Sequence, residues 1–145
     1  MKIMDPHRIN ERSSAGGEGF ARGVAIAGGI FFVALGVWAM IEPRSFFDTV
    51  ATFEPYNRHF LQDIGAFQVG LGAVLLLAVV PASLSGLTVA LIGVGVGAAL
   101  HTVSHIAGHD LGGTPETDIP FFALVAVLLL AAGGYRWRRE SGSAR

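Results

Sequence analysis

The side chains in this 145-residue sequence that could do chemistry fall into two short runs. His59 and Asp63 stand four residues apart, as do His101 and His105, with His109 four further on. On a helix, residues i and i+4 share one face. Two imidazoles so placed can chelate a divalent metal ion, and a carboxylate from a neighbouring helix can complete the ligand set. Haem is the other cofactor these residues could hold. Two imidazoles on one helix cannot sandwich one iron, so bis-histidine ligation needs His59 opposite His101 or His105. Asp63 could instead fix a histidine tautomer, and imidazoles that titrate near neutrality could relay protons. The plainest alternative is that Asp63 bonds to His101 and only ties two helices together. His109, Asp110 and Glu42 are peripheral candidates at the same level.

No nucleophile–base pair, phosphate loop or cofactor fingerprint names a reaction, so whether the chain is an enzyme stays open. The His-x3-His spacing lacks the Glu of a metalloprotease helix. The absence of cysteine excludes disulfides, thiol catalysis, iron–sulfur clusters and Cys-ligated zinc. The glycines of Gly93-Val94-Gly95-Val96-Gly97 are spaced somewhat like a dinucleotide loop. No strand precedes them, and helix packing is the better reading.

These side chains must be positioned by elements that the charge pattern defines. Apolar residues make up 52% of the chain and charged residues 14%, against roughly 25% charged in globular proteins. The charges gather in the first 22 residues, in two loops and in the last ten residues. A charge at mid-bilayer costs about 2.5–3.5 kcal/mol even on an insertion scale. The segregation therefore predicts an all-α integral membrane four-helix bundle, with spans over about 23–41, 61–80, 84–107 and 119–135. Each comes near the ~20 residues that cross a ~30 Å hydrocarbon core. A soluble bundle would need a polar face on each helix, and the first, second and fourth spans are apolar all round.

Glu42-Pro43 is expected to end the first span and Pro81 the second. Gly108 is expected to cap the third, and Pro120 to open the fourth at its first helical position. Residues 1–22 are polar and rich in Gly and Ser, which predicts a mobile tail. Residues 23–137 then form the transmembrane domain and 138–145 a basic tail. In the loop 42–60, Phe46, Phe47 and Phe53 predict a short amphipathic piece on the interface, beside Trp38 as an aromatic anchor.

The tails hold Lys2, Arg8, Arg12, Arg22, Arg136, Arg138, Arg139 and Arg145, whereas the opposite loops hold only Arg44 and Arg58. The positive-inside rule then places the protein in the cell (inner) membrane with both termini cytoplasmic. His59 and Asp63 begin the second span and His101 and His105 end the third, so both runs reach the same outward level. Gln68 lies deeper and reads as an interhelical hydrogen bond. Close helix packing would use Ala25, Gly29 and Gly36, then Gly65, Gly70 and Gly72, then Ala90, Gly93, Gly97 and Ala98. With a net charge of −1, nothing points to nucleic acid. The expected partners are the lipid bilayer and either further copies of the chain or a membrane-complex subunit.

The run Asn57-Arg58-His59-Phe60-Leu61-Gln62-Asp63-Ile64-Gly65, then a Gly-rich span, then His101-Thr102-Val103-Ser104-His105, resembles small bacterial four-helix membrane proteins of unknown function, near the DoxX-like groups. The resemblance covers roughly residues 20–137. It implies a four-helix bundle and treats His59, Asp63, His101 and His105 as one site. DoxX-like relatives are linked to quinone-associated redox systems, and without cysteine a thiol route of that kind is closed to this chain. Residues and resemblance together predict a small accessory membrane protein whose outward His/Asp cluster holds a metal ion or haem. A structural or assembly subunit is the first alternative, and a small-solute or proton transporter the second.

Overall fold

A computed structural model describes residues 6–80 and 84–143. Among them the chain forms five helices and no strand: α1 (Pro6–Ile41), α2 (Pro43–Thr49), α3 (Arg58–Val79), α4 (Leu84–Ala107) and α5 (Pro115–Ser143). Helices α1, α3, α4 and α5 are each long and apolar enough to cross a membrane. This is the all-α membrane bundle that the charge pattern predicts, with α2 as a short piece between the first two spans.

Several boundaries differ from the sequence reading: α3 begins at Arg58 rather than near residue 61, α5 runs on to Ser143 through most of the expected basic tail, and two further helix starts move. Helix α1 begins at Pro6, so residues 6–22 continue the span as helix; residues 1–5 lie outside the described residues. Proline suits a first helical turn, and Glu18 supports the segment by pairing with Arg22 one turn on, Nε to Oε1 at 3.0 Å. Helix α5 begins at Pro115 rather than near Ile119. Asp118 fixes that start by accepting from the Thr114 backbone N–H at 2.9 Å and the Thr114 hydroxyl at 3.0 Å. Pro120 is thus inside the helix, where its missing N–H leaves one bond unmade.

The other ends follow local rules. The Asn57 side chain caps α3 by accepting from the Phe60 N–H at 3.1 Å. Val80, just before Pro81, turns extended (φ −66°, ψ 130°) and ends α3. The Gly108 N–H bonds back to Ser104 O at 2.9 Å. The left-handed backbone comes later, at Gly112 (φ 131°) and Gly113 (φ 80°), which turn the chain toward α5.

The spans associate as two close pairs, α1 with α3 and α4 with α5, with lesser contact between the pairs. The first pair is antiparallel and zipped by glycine. A Cβ on Gly36 would come 2.5 Å from Gly65 O, and one on Gly65 would come 2.7 Å from Gly36 O. Two turns along, a Cβ on Gly72 would come 2.6 Å from Gly29 O. In the second pair, Gly133 meets Ile92 and Gly95 meets Leu130. Gly70, Gly93 and Gly97, expected to pack as well, have open space where a Cβ would stand. All three are exposed, and Gly93 borders an open cleft between α3 and α4.

At the end that carries the termini, the two pairs close on a core of small and medium residues, including Ala21, Ala25, Leu75, Leu91, Leu129 and Ala132. Arg136 is buried there, at 4% exposure. It pairs with Glu18 of α1, donates to Thr88 Oγ1 of α4 at 3.2 Å, and reaches Glu140 Oε1 at 3.4 Å. Thr88 donates onward to Glu140 at 2.7 Å, and Arg22 donates to Val79 O of α3 at 3.3 Å. One polar network therefore touches all four spans. The sequence reads Arg136 only as part of a basic anchor, because its neutralising partners come from other helices.

Outside this frame large apolar side chains face outward on every span, among them Ile30, Phe67, Leu77, Val89, Leu100 and Val127. Contiguous apolar surface on this scale is foreign to a water-exposed monomer and natural against lipid.

Two outcomes test this packing. Gly36→Ala is expected to lower stability by about 1–3 kcal/mol through overpacking, whereas Gly97→Ala, with free space at its Cβ, should be neutral. Arg136→Met, which strips Glu18 and Glu140 of a buried partner, is expected to cost roughly 1–3 kcal/mol. Thermal unfolding in detergent, followed by circular dichroism, measures all three.

Candidate ligand cavity at the far end of the bundle

At the end opposite the termini, bulky rings hold the two helix pairs apart. The gap is a cavity of about 510 Å³ to which every helix contributes. Helix α1 supplies Phe31 and Leu35, α2 supplies Phe46 and Phe47, and the following loop supplies Phe53 and Asn57. Helix α3 gives Phe60, Leu61, Ile64 and Gln68, which recur at the three- and four-residue spacing of one helix face. His101 and His105 come from α4, and Thr117, Asp118, Phe121 and Phe122 from α5.

The two histidines form the polar heart of this wall. Their Nε2 atoms are 3.2 Å apart, so one ring donates to the other. Phe122 packs on both, with ring centroids 4.5 Å from His101 and 5.1 Å from His105. Phe53 stands edge-on to His105 at 5.9 Å. Further rings run on from Phe122 to Phe121 and from Phe121 to Phe31, each step 5.5 Å. Edge-to-face pairs of this kind contribute about 0.5–1.5 kcal/mol beyond their burial. They fix the cavity wall and the histidine orientation together.

The cover over the cavity is also fixed. Trp38 Nε1 donates to Ser45 Oγ at 3.3 Å and its ring stands against Phe46. Phe47 packs on Tyr56, and the Arg44 guanidinium lies over both rings while pairing with Asp48 at 2.9 Å. The phenylalanines expected to lie on the interface thus turn inward: Phe46 and Phe47 are buried.

Gln68 is the exceptional polar group. Its Oε1 is buried and has no hydrogen-bond partner among the described residues. The expected interhelical hydrogen bond from that oxygen is therefore not made. Asp118, by contrast, is satisfied by Thr114.

The four residues expected to form one site divide into two pairs. His59 Nε2 lies 3.5 Å from Asp63 Oδ2 on the outer surface of α3, with side chains 86% and 55% exposed. Neither lines the cavity. At 3.6 residues per turn, Asp63 and Gln68 point about 140° apart, so the face that brings Gln68 inward turns Asp63 out. Glu42 is exposed beside α2 and makes no side-chain cap. His109, bonded to Ile106 O at 3.2 Å, and Asp110 are exposed beyond the end of α4. None of these three lines the cavity.

This arrangement fits a metal or haem poorly. Among the described residues no three His, Asp or Glu side chains come together as a ligand set, whereas protein zinc sites draw on three or four. A bis-histidine haem lacks its second axial ligand, since His59 stands outside. The cavity suits an apolar body with a few hydrogen-bonding atoms, and its volume lies in the range of small-molecule sites, about 300–1,000 Å³.

Keeping an unpartnered amide in such a wall costs stability. Gln68→Met, close in shape and without the amide, is expected to raise the stability of the ligand-free protein by about 1 kcal/mol, read as a higher midpoint of thermal unfolding. A lower midpoint would mean that the amide serves packing instead. Comparison with models of protein families, with curated proteins and with solved structures found no match.

Proposed function

We propose that this multi-pass membrane protein binds a small, neutral, hydroxyl-bearing amphiphile in the cavity between its helix pairs. The observation that carries the reading is the buried, unpartnered Gln68 oxygen on a mostly apolar wall. An acceptor left so costs about 1–3 kcal/mol, and a hydroxyl group on the ligand would satisfy it. The histidine pair uses one nitrogen of each ring. Nδ1 of each ring can then serve the same hydroxyl or a second polar atom. Among the described residues no lysine or arginine lines the wall to meet an anionic head, and the Thr114 N–H and hydroxyl already occupy the Asp118 carboxylate, so we take the head as neutral. The phenylalanines supply the surface for an apolar body. On the positive-inside reading the cavity lies at the outward face of the cell membrane.

Detergent-purified protein titrated with n-hexanol is expected to gain thermal stability saturably. Hexane at the same micellar mole fraction should give no such gain. Gln68→Met is expected to weaken hexanol binding about tenfold, the equivalent of one hydrogen bond near 1.4 kcal/mol. Equal responses to hexanol and hexane, or full hexanol binding by Gln68→Met, would overturn the proposal.

A further inference from the structure

A second cavity, of about 500 Å³ and almost wholly apolar, lies between α1 and α5. It runs along α1 from Phe31 back to Phe20 and is floored by Gly23, Ala27 and Gly28, with Leu128 on the α5 side. Eleven residues at 1.5 Å each make it about 16 Å long. Phe31 lines both this groove and the polar cavity. Its ring stands edge-on to Phe121 of α5, at the junction of the two. A Cβ on Gly23 would meet nothing within 4 Å, so the groove floor is open there.

From this adjacency we infer that the ligand is a long-chain lipid alcohol, with its hydroxyl head in the histidine cavity and its single chain in the α1–α5 groove. The inference rests on the ligand-binding reading of the cavity and adds the chain and its path. The path is lateral: the groove faces the hydrocarbon, so a chain already in the bilayer slides between α1 and α5 and draws the head past Phe31. A polar solute could not use a route without hydrogen-bonding groups.

The groove contributes room more than affinity. A chain in a micelle or bilayer is already out of water, and lipid tails are as apolar as leucine. Wild-type protein is therefore expected to bind n-hexanol and n-hexadecanol with affinities within several-fold at equal micellar mole fraction. Filling the groove is what separates them. Gly23→Leu and Ala27→Leu place bulk on the floor while leaving Gln68, His101 and His105 untouched. Each is expected to keep hexanol binding and to weaken hexadecanol binding about tenfold or more. Val127→Leu, on a surface that lines neither cavity, should leave both alcohols unchanged.

Hexadecanol binding that survives in both filled-groove variants, with hexanol also bound, would overturn the inference and leave the cavity reading standing. The groove would then be covered by ordinary bilayer lipid. Failure of the wild type to bind either alcohol would overturn the cavity reading itself, and the inference with it. Loss of hexadecanol alone in the two variants supports the chain path.

Discussion

The rest of the molecule depends on how closely two backbones can approach in a solvent that offers no hydrophobic reward for doing so. In lipid, helices associate through packing and hydrogen bonds. Gly29 and Gly36 on α1 face Gly72 and Gly65 on α3 so closely that no side chain fits between. In the α4–α5 pair, Gly95 and Gly133 instead make room for the side chains of Leu130 and Ile92. Each pair is a closely packed unit, and the remaining freedom is how the two units sit against each other.

That freedom is used differently at the two ends. At the terminal end, alanines and leucines let the pairs close, and the Arg136 network joins all four spans. A buried guanidinium is tolerated because Glu18, Thr88 and Glu140 converge on it, whereas an unpaired one would be costly. At the far end, Phe31 of α1 meets Phe121 of α5 ring against ring, Phe46 and Phe47 of the α2 cover pack on Trp38 and Tyr56, and the pairs leave a cavity between them. The cavity is thus a consequence of side-chain size along the helices: small residues clamp one end and rings wedge the other.

Within the cavity the polar groups are few and unequal. The two histidines engage one nitrogen of each ring with each other, Asp118 is held by the turn that starts α5, and Gln68 offers an acceptor that nothing nearby answers. An apolar site with one unanswered acceptor discriminates by hydrogen bonding more than by charge, since a bonded and an unbonded buried group differ by more than a typical net hydrogen bond. The α1–α5 groove adjoins this cavity at Phe31, which lines both.

The sequence by itself determined that the chain crosses a membrane, where its four spans lie, and that His101 and His105 pair on one helix face. Each follows from a local cause: a charge is excluded from lipid wherever it stands, and i, i+4 spacing is a property of one helix. Gly29, Gly36, Gly65 and Gly72 were also legible as close-packing residues, as was Gln68 as a polar outlier. Only the tertiary structure decided which face of each helix turns inward. Rotation about the helix axis is set by the sum of contacts with neighbours, so nothing local to α3 says that Gln68 and Ile64 face the cavity while His59 and Asp63 face out. The same rotation leaves Gly93 and Gly97 exposed, with open space where a Cβ would stand. It also turns Arg136, one of three arginines at the end of α5, from an anchor into a buried tie. The helical course of residues 6–22 was hidden for a related reason: polar composition alone reads as a tail, and the partner that engages Glu18 is 118 residues away.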